Sequence, residues 1–465
     1  LQSSTIALLC CDIGKTDDDH RVSISPLITK EGSGKVLVSF NPITLFNPIT
    51  TPMTLQNYDP AIANSLQAEL DRQREGLEMI PSENFVSPAV LEALGSIATN
   101  KYSEGYPGKR YYGGCENIDV IEQLAIDRAK KIFGAQHVNV QPLSGAPANI
   151  AAYEALLEHG DTILGMDLSH GGHLTHGHPV TQSSKIYNFV RYKTDAQGLI
   201  DLDNLRAMAI EHKPKLILVG YSAYSREIDY AGIKQIANEV GALTMADMAH
   251  IAGLIAGGQM NNPVPIFDLV TTTTHKTLRG PRGGMILCKA KHAKAVNKAV
   301  FPGLQGGPHE NVIAAKAVAF KEALEPEFKI YAAQIKKNAK ILEQEFLARD
   351  YKLMFGGTDN HLLLIDVTNK GLSGKEADHA LDAAGITVNK NMIPDDPRSP
   401  MDPSGIRLGT PAITTRGMKE DEMKIIAGWI DEAIINWQNP KKLANIRASV
   451  KELTKKFPLY RELKY

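Results

Sequence analysis

Leu243-Thr-Met-Ala-Asp-Met-Ala-His250 carries a short apolar run that meets a carboxylate, and Asp268-Leu-Val-Thr-Thr-Thr-Thr-His-Lys276 carries a second that leads to an amine. Apolar, β-branched runs of this length predict neighbouring strands of a sheet buried on both faces. Ligands of open α/β sheets bind beyond the C-terminal ends of the strands. Asp247, one residue past the strand Leu243–Ala246, and Lys276, just past the next strand, are therefore presented to one crevice. Pyridoxal phosphate uses this pair of groups: a lysine forms its Schiff base, and a carboxylate keeps its pyridine nitrogen protonated so that the ring accepts electrons. Taken singly, Asp247 reads as a helix cap and Lys276 as a surface residue. The threonines and His275 before the lysine, and Arg279-Gly-Pro-Arg-Gly-Gly284 after it, argue against a bland surface loop.

Outward from this pair the chain alternates helix and strand patterns from about residue 81 to 320. Helices are predicted at Val120–Phe133, Ala146–Leu157, Leu202–His212 and Ile233–Val240. Strands are predicted at His137–Gln141, Thr162–Met166, Leu216–Val219 and Leu269–Thr273, with Gly283–Cys288 able to run against the others. One long helical region, Asn311–Leu347, leads into a smaller α+β unit. Its strands are expected near Leu362–Val367 and Ile406–Leu408, and its helices near Gly374–Ala384 and Lys419–Ile435. The expected organisation is an arm at 53–80 with an amphipathic helix through Leu66, Leu70 and Leu77, a large cofactor-binding domain at 81–320, and a small C-terminal domain at 321–465.

Composition narrows the function class. In 465 residues, 51 Lys and Arg stand against 52 Asp and Glu, giving a net charge of −1. No global field recruits nucleic acid or an anionic membrane. No apolar run approaches the roughly 18 residues of a membrane span. The four cysteines, Cys10, Cys11, Cys115 and Cys288, form neither a disulfide framework nor a CxxC site, which suits a reducing compartment, the cytoplasm. Residues 1–52 lack a basic secretory n-region and repeat Asn-Pro-Ile-Thr at 41–44 and 47–50. They are expected to be a non-native or disordered leader, with Met53 as the natural start.

Three further patterns bear on the crevice. Leu143-Ser-Gly-Ala-Pro-Ala-Asn149 opens a helix after a strand, so Ser144, Gly145 and Ala146 can offer a hydroxyl and N–H groups to a phosphate. Gly303-Leu-Gln-Gly-Gly-Pro308 is a second glycine-rich loop, weak by itself. Histidines cluster in Ser169-His-Gly-Gly-His-Leu-Thr-His-Gly-His178 without the spacing of a zinc site, which favours His173 as a ring stacked on the cofactor over a metal ligand. His250 stands three residues past Asp247, within reach of the cofactor's phenolic oxygen.

Six ordered segments carry a family resemblance from about residue 54 to the C-terminus. They are Pro81-Ser-Glu-Asn84, Asn100–Gly114, Asp167–Gly177, Ala246–His250, Thr271–Gly284 and Gly405-Ile-Arg-Leu-Gly-Thr-Pro411. The chain resembles serine hydroxymethyltransferase of bacterial-type length. The resemblance implies a fold-type I pyridoxal phosphate enzyme: an α/β large domain with a mostly parallel seven-stranded sheet between helices, and a smaller C-terminal α+β domain. The implied reaction moves the hydroxymethyl carbon of L-serine to tetrahydrofolate, leaving glycine and 5,10-methylenetetrahydrofolate. Cleavage of β-hydroxy amino acids without folate is implied as a side activity.

The same resemblance assigns residues. Lys276 holds the cofactor covalently, Asp247 pairs with its ring nitrogen, and His173 stacks on the ring. His250 and Ser222 serve the phenolic oxygen, and His275 precedes the lysine. Ser144, Gly145 and Ala146 hold the phosphate, with Tyr102 and Gly307 reaching it from a neighbouring subunit. Arg407 clamps the substrate carboxylate, while Glu104 and Tyr112 manage the serine hydroxyl. Leu168, Gly172, His173, Leu174, Asn391, Ser399, Pro400 and Met401 bind folate. Each site is finished by a partner, so a homodimer or higher homo-oligomer is expected, with no metal. Met401 stands where the family pattern leads one to expect phenylalanine, Pro147 where it has a polar residue, and Tyr221 is bulkier than expected. A threonine-aldolase-like enzyme would share Lys276 and Asp247 without needing Glu104 or the folate positions. A non-catalytic RNA-binding descendant would not need the full set of catalytic residue types.

Overall fold

The computed structural model describes residues 54–465; the leader, the start proposed at Met53, Cys10 and Cys11 lie outside the described residues. The chain divides into a unit ending at Gln67, to which Tyr465 belongs, and a unit Ala68–Lys464. In the first, Thr54 caps the short helix Leu55–Tyr58, its hydroxyl accepting from the Asn57 N–H.

The second unit holds two larger sheets beside two two-stranded pairings, Leu77–Glu78 with Ile386–Thr387 and Gly105–Tyr106 with Lys109–Arg110. The larger has seven strands: β1 (His137–Asn139), β2 (Thr162–Met166), β3 (Asn188–Tyr192), β4 (Leu216–Gly220), β5 (Leu243–Asp247), β6 (Leu269–Thr273) and β7 (Gly284–Cys288). Their order across the sheet is β1-β7-β6-β5-β4-β2-β3. Strands β3, β2, β4, β5 and β6 are mutually parallel neighbours, and β7 runs antiparallel to both β6 and β1. All five residues of β4, β6 and β7 are buried. That is why these segments read as continuous apolar or β-branched runs rather than alternating ones. Helices cover the sheet, among them Glu116–Phe133, Gly145–Leu156, Leu202–His212 and Tyr230–Val240.

The second sheet comprises β8 (Lys352–Leu353), β9 (Leu362–Asp366), β10 (Asn389–Asn391) and β11 (Gly405–Gly409), all antiparallel in the order β8-β9-β11-β10. Its apolar face packs with the helices Gly374–Ala383, Glu420–Ile435 and Pro440–Lys456.

Three expectations give way to the structure. The helical region 311–347 is two helices, Glu310–Ala323 and Pro326–Leu347. Pro326 occupies a first helical turn, where its missing N–H costs nothing, and it drives the preceding residue out of helical geometry. Leu77 is not helical: the helix ends at Glu75, and Leu77–Glu78 pairs in parallel with Ile386–Thr387. Asp247 is the last residue of β5 rather than the residue beyond it. Strands β3, β8 and β10 and the helix Pro440–Lys456 escaped the pattern reading. β3 and β10 hold few fully buried residues, so they lack a long apolar run.

Candidate active site

The end of β5 sets the centre of the site. Gly220, at the end of β4, pairs in register with Asp247, which pairs in turn with Thr271 of β6. Gly220 has φ +129, and a Cβ there would collide with the Asp247 backbone. Glycine is thus what lets the two strands close beside the carboxylate. The Asp247 side chain accepts from Asn149 Nδ2 at 2.9 Å, from His176 Nε2 at 3.1 Å and from the Ala249 N–H at 3.0 Å. Burial alone would push this carboxyl up. The hydrogen bond and charge of His176, the charge that His173 carries at the acid pH where Asp247 titrates, and the Asn149 amide outweigh burial and hold it well below the usual carboxylate range. Asp247 therefore keeps its negative charge in a buried place.

Asn149 ties the site together. Its carbonyl accepts from Thr271 Oγ1 at 2.6 Å, and its amide also donates to Thr175 Oγ1 at 2.9 Å. Thr175 Oγ1 lies 2.8 Å from His173 Nδ1, which also accepts from the Thr175 N–H. With Nδ1 accepting, the His173 proton sits on Nε2. Burial and His176 push His173 down to about 4, so the ring is neutral at physiological pH and suited to stacking. His173, His176 and Asp247 offer donor atoms within 4.8 Å of one another, and His176 and Asp247 are joined by the hydrogen bond already described.

Lys276 follows β6 in a tightly wound turn. The Thr274 N–H donates to Gly283, the Gly280 N–H to Thr274, and the Arg279 N–H to Lys276 itself. Asn84 Nδ2, from the Pro81–Asn84 segment, donates to the Lys276 carbonyl at 2.9 Å. The side chain is buried, and burial pushes its amine down to about 8; Asp247 opposes the shift, while Arg407 and Arg282 add to it. Half-buried His275 is pushed down to about 3 by desolvation and the charges of Arg282 and Lys276, and its Nδ1 accepts from the Gly283 N–H at 3.4 Å.

Ser144 caps the helix Gly145–Leu156 with its backbone extended, and its hydroxyl makes no capping bond. The first-turn N–H groups of Gly145 and Ala146 are free of the helix ladder, and Pro147 contributes none. A Cβ on Gly145 would lie 2.8 Å from Thr273 Cγ2. Close packing on β6 thus explains the glycine and points the helix N-terminus at the strand ends. The departure at Pro147 leaves the Ser144 hydroxyl and the Gly145 and Ala146 N–H groups in place and takes one N–H from the turn.

The other wall comes from β11. Arg407 pairs in register with Leu364 and Asn389, its Nε donates to Asn389 Oδ1 at 3.2 Å, and its Nη1 donates to the Ser222 carbonyl. Burial pushes the guanidinium down to about 10, which leaves it charged at neutral pH. Ser222 is fixed by its N–H to the Gly171 carbonyl at 2.7 Å. His250 is fully enclosed and pushed well below its ordinary value by burial, Lys276 and Arg407; its Nδ1 lies 3.3 Å from His361 Nε2, the rings stacked at 24°. Tyr221 hydroxyl accepts from Asn360 Nδ2 at 3.1 Å, which gives its extra oxygen a partner.

A second group stands on the hairpin Gly105–Arg110 and its flanks. Tyr102 hydroxyl donates to Glu104 Oε1 at 3.1 Å, its ring meets Tyr112 edge-on at 4.9 Å, and it packs on Gly307. The charges that bear on Lys276 within the chain are those of Asp247, Arg407 and Arg282, not that of Glu104. Leu168, Gly172 and Leu174 lie on the loop after β2; Asn391, Ser399, Pro400 and Met401 lie on and after β10, with Met401 and Leu174 exposed.

Asn149, Thr175, His176, Asn389 and His361 belong to this constellation and were not named from the sequence. Asn149 and His176 lay inside quoted motifs and could have been found by asking what holds an ionised aspartate in a buried place. His361 and Asn389 come from the second sheet and had no local signal.

A buried amine near neutrality, an ionised buried carboxylate, a flat imidazole, a helix N-terminus with unused N–H groups and a desolvated guanidinium form a site fitted to pyridoxal phosphate and an amino acid. Comparison with known proteins agrees. The serine hydroxymethyltransferase family model matches residues 55–430. Serine hydroxymethyltransferase 1 of Pseudomonas fluorescens is 56% identical over 410 residues, which cover 88% of this chain and 98% of that protein. With the match running through both sheets and every element of the site, the chain belongs to the serine hydroxymethyltransferase family.

Proposed function

We propose that the residues of this site divide among themselves the reaction of the family, reversible transfer of the serine hydroxymethyl carbon to tetrahydrofolate to give glycine and 5,10-methylenetetrahydrofolate. The enzyme uses pyridoxal phosphate as cofactor and tetrahydrofolate as co-substrate. When bound, the cofactor supplies an electron sink for the bond-breaking step. Lys276 would hold it, with Ser144, Gly145 and Ala146 on the phosphate, Asp247 on the ring nitrogen, His173 on the ring face, and His250 and Ser222 at the phenolic oxygen. Arg407 takes the substrate carboxylate through guanidinium N–H groups not used by Asn389 and Ser222. Glu104 and Tyr112 move the proton of the serine hydroxyl, and a second copy of the chain brings them, with Tyr102 and Gly307, to the site. Leu168, Gly172, His173, Leu174, Asn391, Ser399, Pro400 and Met401 line the folate cleft. Met401 keeps apolar volume there without an aromatic face.

The observation that carries this reading is the pairing of a buried amine near neutrality with a carboxylate held ionised by His176 and Asn149. Folate-independent cleavage of β-hydroxy amino acids accompanies it as a side activity. We further propose that residues 81–320 form the cofactor domain, 321–465 the small domain and 53–80 an arm, and that the enzyme is cytoplasmic. Among the described residues no helix is long and apolar enough to cross a membrane. The test is the visible absorption spectrum of purified protein alone, with glycine, and with glycine plus tetrahydrofolate. A yellow protein whose band shifts far to the red only with both ligands supports the reading. A yellow protein that answers glycine and ignores folate favours an aldolase-like enzyme, and a colourless protein unable to take up the cofactor overturns both.

A further inference from the structure

The segment that follows β10 is braced from within. Asp396 accepts from the N–H groups of Ile393 at 3.2 Å, Arg398 at 2.9 Å and Ser404 at 2.9 Å, and from Ser404 Oγ at 2.7 Å. A loop knotted around one carboxylate moves as a body. Its neighbour Asp395 points outward from a left-handed backbone, φ +50, and Oδ1 receives Lys193 Nζ at 2.5 Å and His170 Nε2 at 3.4 Å. His170 is aimed there by its other nitrogen: Nδ1 accepts from the Thr194 N–H at 3.2 Å, which leaves the proton on Nε2, directed at Asp395. The His170 ring is buried, whereas Lys193 and Asp395 are exposed.

The position of this link in the chain gives it meaning. His170 lies between Leu168 and Gly172, and Asp395 between Asn391 and Ser399, which on the folate reading places them on opposite walls of the cleft. Among the described residues, the side-chain hydrogen bonds from the braced loop to the segment 167–194 are those of Asp395. We propose that Asp395, gripped by Lys193 and His170, is a strut that sets the spacing of the two cleft walls and so determines folate affinity without touching the amino-acid site. The inference rests on the folate reading above and names positioning residues rather than catalytic ones.

A double-mutant cycle in holoenzyme tests it, with tetrahydrofolate as probe and the folate-dependent red-shifted band in glycine as signal. Lys193→Ala raises the apparent dissociation constant for tetrahydrofolate about two- to fivefold, the range of a solvent-exposed ion pair. Asp395→Ala raises it at least as much, because His170 also loses its acceptor. Adding Lys193→Ala to Asp395→Ala changes nothing further, the mark of residues acting through one link. The glycine dissociation constant and the cofactor band without folate stay as in the unmodified protein. An unchanged folate constant in Asp395→Ala overturns the strut, and so does weakening by Lys193→Ala that adds fully to that of Asp395→Ala, which would place the lysine on the folate carboxylates themselves. An unmodified protein that gives no response to tetrahydrofolate overturns the folate reading, and the strut with it.

Discussion

Lys276 and Asp247 gain their properties from the same burial by opposite routes. Burial discourages charge on both; the lysine yields, falling to about 8, while the aspartate is rescued by His176, His173 and Asn149 and stays ionised. Only the neutral amine attacks an aldehyde. Uptake of pyridoxal phosphate by the apo-protein, followed by the absorbance of the bound cofactor, therefore rises with pH through about 8 and levels off. A lysine at its ordinary value of 10.5 would keep climbing, and Lys276→Ala should show no covalent uptake. Asn149 is the positioning residue to remove next. Asn149→Ala takes one donor from Asp247 and leaves the Thr271 hydroxyl without its acceptor. The Asp247 carboxyl is then depressed less, by the loss of the smallest of the influences that hold it down, and it is less firmly aimed. The turnover number falls about ten- to a hundredfold, as for other outer partners of a charged centre.

At the scale of elements, Arg110 holds the hairpin that carries Glu104. Its Nε donates to Asp119 at 2.8 Å and its Nη2 to Glu122 at 2.7 Å, while Nη1 reaches the carbonyls of Ser103 and Gly105, on either side of Glu104. Glu310 lies 3.6 Å from the same guanidinium and accepts from Ser103 Oγ at 2.6 Å. Removing one partner of a buried ionic group strands the others. Arg110→Met should cost about 3–5 kcal/mol of stability, read as a lower urea midpoint, and should slow hydroxymethyl transfer more than it weakens glycine binding. The sequence announced the catalytic face of this element through its tyrosines and glutamate, but not the clamp. An arginine between lysine and tyrosine looks like any surface cation until Glu122 and Glu310 arrive from two helices. The large sheet was legible for a related reason. Strands buried on both faces must be continuously apolar or β-branched, so β2, β4, β5 and β6 declared themselves, whereas β3, β8 and β10 did not. The helix break at Pro326 was written in the sequence and was overridden in the reading by the apolar period on either side.

At the scale of the whole molecule, what could not be read locally is what only assembly creates. Arg407 was identified by its motif, but its partners Asn389 and Ser222 reach it from two separate segments, and His361, from a third, feels its charge. The same limit applies between chains. Tyr102, Tyr111 and Tyr112 are 53%, 76% and 46% exposed, and the Tyr102 and Tyr112 rings touch, an aromatic face of the kind that a second copy covers. Glu104 stands on that face, engaged with Tyr102 and next to Gly306, while Lys276 is buried with Asp247 and Arg407 in its field. If one chain supplies the lysine and its partner the glutamate, two inactive variants can repair each other. Lys276→Ala and Glu104→Gln, each inactive in folate-dependent transfer, are to be mixed in equal amounts, unfolded and refolded together. Random pairing makes about half the dimers mixed, and each mixed dimer has one site with both native residues, so about a quarter of the unmodified activity returns. Sites completed within a single chain would return none, because every chain would still lack one of the two groups.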